Sequence, residues 1–107
     1  MLTKDLDTLL KEANDIVKRL SYEESNLLIE NHKTVIIDVR EESEVYSQGI
    51  IKNAIHIPRG LIEFQLKPDS DKNPVSIDSE TNILVYCAGG YRSALAAKSL
   101  IDLGFKN

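Results

Sequence analysis

The sequence predicts one α/β domain in which buried strands alternate with amphipathic helices. Residues 34–37 and 82–86 are apolar almost without a break, as in strands covered on both faces. The segments near the two ends of the chain instead place apolar residues at spacings of three and four, which is typical of amphipathic helices. A chain of 107 residues with 42% hydrophobic content is sufficient for one core.

The chain opens with an amphipathic helix and lead-in, which we assign to residues 1–20. Its apolar residues form one helical stripe: Leu6, Leu9, Leu10, Ala13, Ile16, Val17 and Leu20. This stripe either docks on the chain's own domain or contacts a partner chain or a membrane surface. Ser21 and Glu24 form a capping-box pattern, so a second helix is predicted to begin at Ser21, and residues 21–107 form the main domain.

The middle of the chain contains several short elements. Residues 41–47 predict a helix that ends at Gly49, residues 54–57 predict a strand closed by Pro58, and residues 60–66 predict a helical turn. Residues 67–81 are mostly polar and predict a long loop that is either disordered or beside a site. We expect His32 to be a solvated loop residue and His56 to be a structural residue of the strand.

Composition excludes several classes of function. The net charge of −4 and the scattered Lys and Arg residues disfavour a nucleic-acid partner. No apolar run approaches the roughly 20 residues that span a bilayer, so we expect no membrane association and a cytoplasmic location. Cys87 is the single cysteine, which excludes an internal disulfide and a zinc site of several thiolates. We expect no cofactor and no metal.

The segment around Cys87 is the main candidate site. Cys87 directly follows a predicted buried strand and precedes a helix predicted over residues 93–103, where open α/β sheets place their ligands. Gly89 and Gly90 allow the backbone to curl so that its N–H groups point at an anion, and the helix N-terminus adds positive potential. This field should lower the pKa of the Cys87 thiol below about 8.5 without a histidine base. Arg92 adds a cation that can orient an incoming oxyanion.

Each feature of this segment also has a purely structural explanation. Free cysteines are often buried, and glycine turns between a strand and a helix recur in α/β proteins. The combination of a sole cysteine with two glycines, an arginine and a serine before a helix favours a functional site.

These residues resemble the rhodanese-like domain family over residues 18–107. The resemblance rests on motifs in the family's order: Asp38-Val39-Arg40-Glu41, Glu44, Gly49, Ala54-Ile55-His56-Ile57-Pro58 and Cys87-Ala88-Gly89-Gly90-Tyr91-Arg92-Ser93. It implies a central, mainly parallel sheet flanked by helices, and a cysteine that cycles between thiol and persulfide. It also implies that Cys87 is the nucleophile and that the transferred sulfur is bound by Ala88, Gly89, Gly90, Tyr91, Arg92 and Ser93. Asp38 and Arg40 resemble the family's framework pair.

Loop length separates this sequence from related phosphatases and arsenate reductases. Four residues lie between Cys87 and Arg92, whereas those relatives carry one more. The shorter loop resembles the sulfurtransferase form, and Tyr86 stands where phosphatases commonly have histidine.

The sequence departs from the family pattern at two places. Residues 49–54 lack the usual histidine and second glycine. The sequence ends at Asn107, where the family normally continues into a further strand and a last helix. We therefore expect a domain that lacks that strand and helix, with the N-terminal helix or another chain, as in a dimer, covering the edge.

The resemblance predicts a sulfurtransferase that moves sulfane sulfur from thiosulfate or a protein persulfide to a thiophilic acceptor such as cyanide or a thiol. Its expected partners are small sulfur donors, thiol acceptors and a protein donor or acceptor. A non-catalytic protein-binding module is the alternative. A phosphatase or arsenate reductase is a third alternative, which the short loop disfavours.

Overall fold

The structure, a computed structural model, describes residues 4–31, 33–66 and 81–105. In chain order the elements are α1 (Leu6–Ile16), α2 (Tyr22–Asn31), β1 (Thr34–Asp38), α3 (Glu42–Gln48), β2 (Ile55–His56), a 3₁₀ turn (Arg59–Leu61), α4 (Ile62–Gln65), β3 (Asn82–Tyr86) and α5 (Tyr91–Asp102). Helices and strands therefore alternate through most of the described chain, which confirms the predicted α/β class.

The three strands form a parallel sheet in the order β2-β1-β3. The register pairs Asp38 of β1 with His56 on one side and with Tyr86 on the other, so the carboxyl ends of all three strands meet at one edge. The main chain continues this pairing beyond the strands, because Val39 N–H donates to the Tyr86 carbonyl at 3.1 Å. Cys87 follows Tyr86 and therefore lies at this edge.

The hydrophobic core lies between the sheet and the helices that cover it. Its buried members come from β1 and the segments after β1 and β2, from α4 and from α5: Ile37, Val39, Ile57, Ile62, Leu66, Ala96 and Leu100. The Cys87 side chain packs against this cluster and is half-buried. The core therefore contacts part of the Cys87 side chain, and the rest of that side chain is accessible to solvent.

Local sequence signals account for the ends of several elements. Ser21 and Glu24 form the predicted capping box, with Glu24 N–H donating to Ser21 Oγ at 3.1 Å and Ser21 N–H donating to Glu24 Oε1 at 3.0 Å. Gly104, with φ +106°, follows the last turn of α5. α1 packs on α5 and buries Ala13 completely, so the apolar stripe docks on its own domain in part. Leu6, Leu9 and Ile16 of the same stripe stay exposed.

Some expectations differ from the structure or lie outside it. α5 begins at Tyr91, two residues before the predicted start, because Gly90 already acts as its N-cap. The predicted loop lies outside the described residues from 67 to 80, as does His32. The division into residues 1–20 and 21–107 stays a prediction. No helix in the described part of the chain has the length and apolar character needed to cross a bilayer.

Candidate functional site

Cys87 lies between the end of β3 and the N-terminus of α5, and main-chain donors from the helix start surround its sulfur. Gly90 N–H donates to Cys87 Sγ at 3.1 Å, and Ser93 N–H donates to it at 3.4 Å. Ser93 Oγ lies 3.5 Å from the same sulfur. In a thiolate the hydroxyl would donate to the sulfur as well, so three donors from two residues converge on one atom.

These donors lower the pKa of Cys87. Partial burial raises the pKa, since it disfavours the charged thiolate, but the hydrogen bonds from the Ser93 side chain and from the Ser93, Gly90 and Gly89 N–H groups outweigh it. The N-terminal end of the 12-residue helix α5 also lowers this pKa, because it carries partial positive charge that stabilises the thiolate. The pKa of Cys87 therefore lies below the ordinary value of a thiol.

Gly90 gives the loop its shape. Its backbone is left-handed, with φ 87° and ψ −5°, a conformation that costs little only for glycine. The turn at Gly90 directs its N–H at the sulfur while its carbonyl accepts the Ala94 N–H at 3.2 Å and so joins the first turn of α5. A side chain at this position would disturb both the helix cap and a donor to Cys87.

Arg92 forms an ion pair with Glu44 of α3. Its two terminal nitrogens lie 2.5 and 2.9 Å from the two carboxylate oxygens of Glu44, and both side chains are partly exposed. The guanidinium lowers the pKa of Glu44 to about 2, and Glu44 raises the pKa of Arg92, with a smaller contribution from Cys87. The pair therefore joins α3 to α5 beside the sulfur.

Asp38 and Arg40 form a second ion pair, which is buried at the carboxyl end of β1. Arg40 Nε lies 3.0 Å from both carboxylate oxygens of Asp38, and Arg40 Nη2 also donates to the Gly49 carbonyl at 2.7 Å. Burial raises the pKa of Asp38, but the hydrogen bonds from Arg40 outweigh burial and lower it. His56 contacts the Arg40 carbonyl through a ring nitrogen at 2.7 Å. These contacts are those of a framework that holds the strand ends together.

Arg19, in the segment between α1 and α2, also reaches the loop. Its Nη1 donates to the Gly90 carbonyl at 3.4 Å and to Asn14 Oδ1 at 3.1 Å. Sequence patterns do not single out Arg19, because it lies 71 positions from Gly90 and belongs to no recognisable motif.

The predicted site residues have different surroundings. Gly90 and Ser93 contact the sulfur directly, and Arg92 lies beside it while bound to Glu44. Ala88, Gly89 and Tyr91 are exposed at the outer side of the loop. In the sequence Glu44 stands out only as part of a motif, and nothing in that motif predicts its ion pair with Arg92.

Comparisons with known proteins show which family and fold this chain is similar to. Residues 21–107 match the sequence model of the rhodanese-like domain. A provisionally named mitochondrial thiosulfate sulfurtransferase of Schizosaccharomyces pombe is 39% identical over 82 residues, which cover 69% of this chain and 55% of that protein. A tRNA uridine(34) hydroxylase of Yersinia enterocolitica is 34% identical over 96 residues, which cover 90% of this chain and 27% of the hydroxylase. The chain thus spans about half of the first relative and about a quarter of the second.

A solved structure is also similar over the whole chain. It is a protein of unknown function from Rhodopseudomonas palustris, described as a possible tyrosine phosphatase. The two superpose with a TM-score of 0.88 at 33% sequence identity, over 100% of this chain and 83% of the other. The likeness includes α1 (Leu6–Ile16), which precedes the match to the domain model.

Proposed function

The chain belongs to the rhodanese-like domain family, and from that membership we propose that it is a sulfurtransferase which carries sulfane sulfur as a persulfide of Cys87. The observation that carries the proposal is the convergence of Gly90 N–H, Ser93 N–H and Ser93 Oγ on the Cys87 sulfur. A sulfur held in this way is a better nucleophile at neutral pH, because the thiolate and not the thiol attacks a sulfur donor.

The proposed first step is an attack by the Cys87 thiolate on the outer sulfur of thiosulfate. A bond forms between Cys87 Sγ and that sulfur while the S–S bond of thiosulfate breaks, and sulfite leaves with the electron pair. The product is an anionic persulfide on Cys87. The donors around Sγ lie at the start of α5, where a negative charge on the added sulfur is also stabilised by the helix N-terminus.

The second step transfers the outer sulfur to an acceptor. Cyanide or a thiolate attacks that sulfur, the Cys87 S–S bond breaks, and its electron pair returns to Cys87 as the thiolate. With cyanide the product is thiocyanate. The N–H groups that lower the pKa of Cys87 also make it a better leaving group, since both properties measure the stability of the thiolate.

Arg92 has donors available for the substrate in this scheme. A guanidinium carries five N–H donors, and the ion pair with Glu44 engages its two terminal nitrogens without exhausting their hydrogens. We propose that the remaining donors orient the oxygens of the departing sulfite. The exposed residues Ala88, Gly89 and Tyr91 would form the outer wall against which the donor lies.

Intact-mass spectrometry tests the proposal directly, because the chain has only one cysteine. Wild-type protein incubated with thiosulfate should gain the mass of one sulfur atom and lose it again when cyanide is added, with thiocyanate released in equal amount. Cys87→Ser should gain nothing under the same conditions. Circular dichroism confirms that both proteins are folded. A folded wild-type protein that gains no sulfur from thiosulfate, or from a small persulfide donor, would overturn the proposal.

Two other results obtained with the same purified protein would indicate other functions. An unreactive Cys87 thiol together with a concentration-dependent dimer in sedimentation would favour a non-catalytic binding module. Turnover of an aryl phosphate that disappears in Cys87→Ser would favour phosphatase chemistry, the activity suggested for the similar Rhodopseudomonas protein.

A further inference from the structure

Arg19 places a second guanidinium at the Cys87 loop. Its Nη1 lies 3.4 Å from the Gly90 carbonyl, and a Cβ atom built on Gly90 would come within 2.2 Å of its Nη2. Gly90 in turn donates its N–H to Cys87 Sγ at 3.1 Å. Gly90 therefore contacts both the Arg19 guanidinium and the Cys87 sulfur. The packing of α1 on α5 brings Arg19 to this position.

The charge of Arg19 is not neutralised in the way that the charge of Arg92 is. Arg92 forms a bidentate ion pair with the Glu44 carboxylate. The hydrogen-bond partners of Arg19 within residues 4–31, 33–66 and 81–105 are the Asn14 side-chain oxygen and the Gly90 carbonyl, both of them neutral. The Arg19 side chain is also exposed to solvent. A dissolved anion that approaches the loop can therefore contact it.

We infer that Arg19 is a specificity-determining residue that favours anionic sulfur donors, such as thiosulfate and other oxyanions, over neutral ones. This inference rests on the proposed sulfurtransferase function. A planar guanidinium suits the oxygens of such a donor, since it offers parallel N–H groups and a permanent charge. Arg19 precedes residue 21, where the match to the domain model begins, so this feature belongs to the lead-in and not to the matched domain.

Alkylation of Cys87 tests the inference without any sulfur transfer. Iodoacetate is an anion and iodoacetamide is its neutral counterpart, so the ratio of their rates reports the potential at the sulfur and cancels changes in thiol reactivity. In Arg19→Ala this ratio should fall about two- to five-fold, the effect of one unit charge a few ångström away in a high dielectric. Arg19→Lys should keep most of the ratio, because it keeps the charge. Lys18→Ala, which removes the same charge from the neighbouring exposed residue, should leave the ratio unchanged.

Three results would overturn the inference. They are an unchanged ratio in Arg19→Ala, an equal fall in Lys18→Ala, or a fall in Arg19→Lys as large as in Arg19→Ala. Circular dichroism on each variant excludes unfolding as the cause.

Thiosulfate kinetics then connect Arg19 to the proposed reaction. Arg19→Ala should raise KM for thiosulfate by a similar factor and leave kcat nearly unchanged, whereas a change confined to kcat would contradict a role in donor binding. If wild-type protein fails to accept sulfur at all, the proposed function fails, while the alkylation ratio still decides whether Arg19 selects anions.

Discussion

Replacing Gly90 by alanine should weaken both the fold and the thiolate. Gly90 has φ 87°, and a left-handed conformation costs an ordinary residue about 1–2 kcal/mol. For a domain of this size that corresponds to a fall in Tm of roughly 5–15 °C. The added Cβ would also meet the Arg19 guanidinium at 2.2 Å. Because Arg19 is exposed and flexible, its guanidinium should move away at little further cost.

The same substitution should raise the pKa of Cys87. An alanine that relaxes toward negative φ turns the residue-90 N–H away from the sulfur, where it now donates at 3.1 Å. The thiolate then loses one of its donors. The rate of iodoacetamide alkylation as a function of pH measures this pKa, and thermal unfolding followed by circular dichroism measures the stability.

Two glycine variants provide matched controls. Gly104→Ala introduces the same class of strain, since Gly104 has φ +106°, but its Cβ would have no neighbour within 4 Å. It should lower Tm and leave the pKa of Cys87 unchanged. Gly60→Ala has neither positive φ nor a close neighbour and should change neither quantity. If Gly90→Ala melts like Gly60→Ala, or keeps the wild-type alkylation profile, the link between the Gly90 turn and the thiolate is wrong.

Two further predictions concern charged groups at the site. The rate of Cys87 alkylation plotted against pH should show an inflection below the pKa of a free cysteine, because hydrogen bonds from Ser93 and Gly90 stabilise the thiolate. Ser93→Ala should move this inflection to higher pH. An unmoved inflection would exclude the Ser93 hydroxyl as a donor. Glu44→Gln should lower Tm above pH 4.5. The pKa of Glu44 falls from 4.5 to about 2 on folding, so ionised Glu44 stabilises the folded state relative to the unfolded state. That difference from wild type should shrink as pH falls from 4.5 toward 2, and a difference that stays constant with pH would rule out the ion pair with Arg92 as its source.

Much of the fold follows from local sequence patterns. The apolar run that became β3 has the predicted bounds, Asn82–Tyr86, and the Ser21 capping box forms as expected. The position of Cys87 between a strand and a helix is also local information, because it depends only on where neighbouring elements end. α5 begins two residues before the predicted start, because Tyr91 and Arg92 are compatible both with a loop and with a first helical turn.

The candidate site depends on contacts between distant parts of the chain. Glu44 and Arg92 are 48 positions apart, and Arg19 and Gly90 are 71 positions apart. Sequence motifs single out Gly90, Arg92 and Glu44 one by one, but no pattern predicts which residues they contact. Arg19 lies in no motif and could not be recognised by pattern alone.

The sequence by itself determined the α/β class and the cysteine loop between a strand and a helix, because local backbone preference and apolar periodicity suffice for these two features. The parallel sheet was implied by the resemblance to the family, and the order of its strands is known only from the structure. Only the tertiary structure decided that Arg92 is neutralised by Glu44 and that Arg19 reaches the loop. The packing of α1 and α3 relative to α5 sets those distances, and that packing depends on burial summed over the whole domain and not on any one segment.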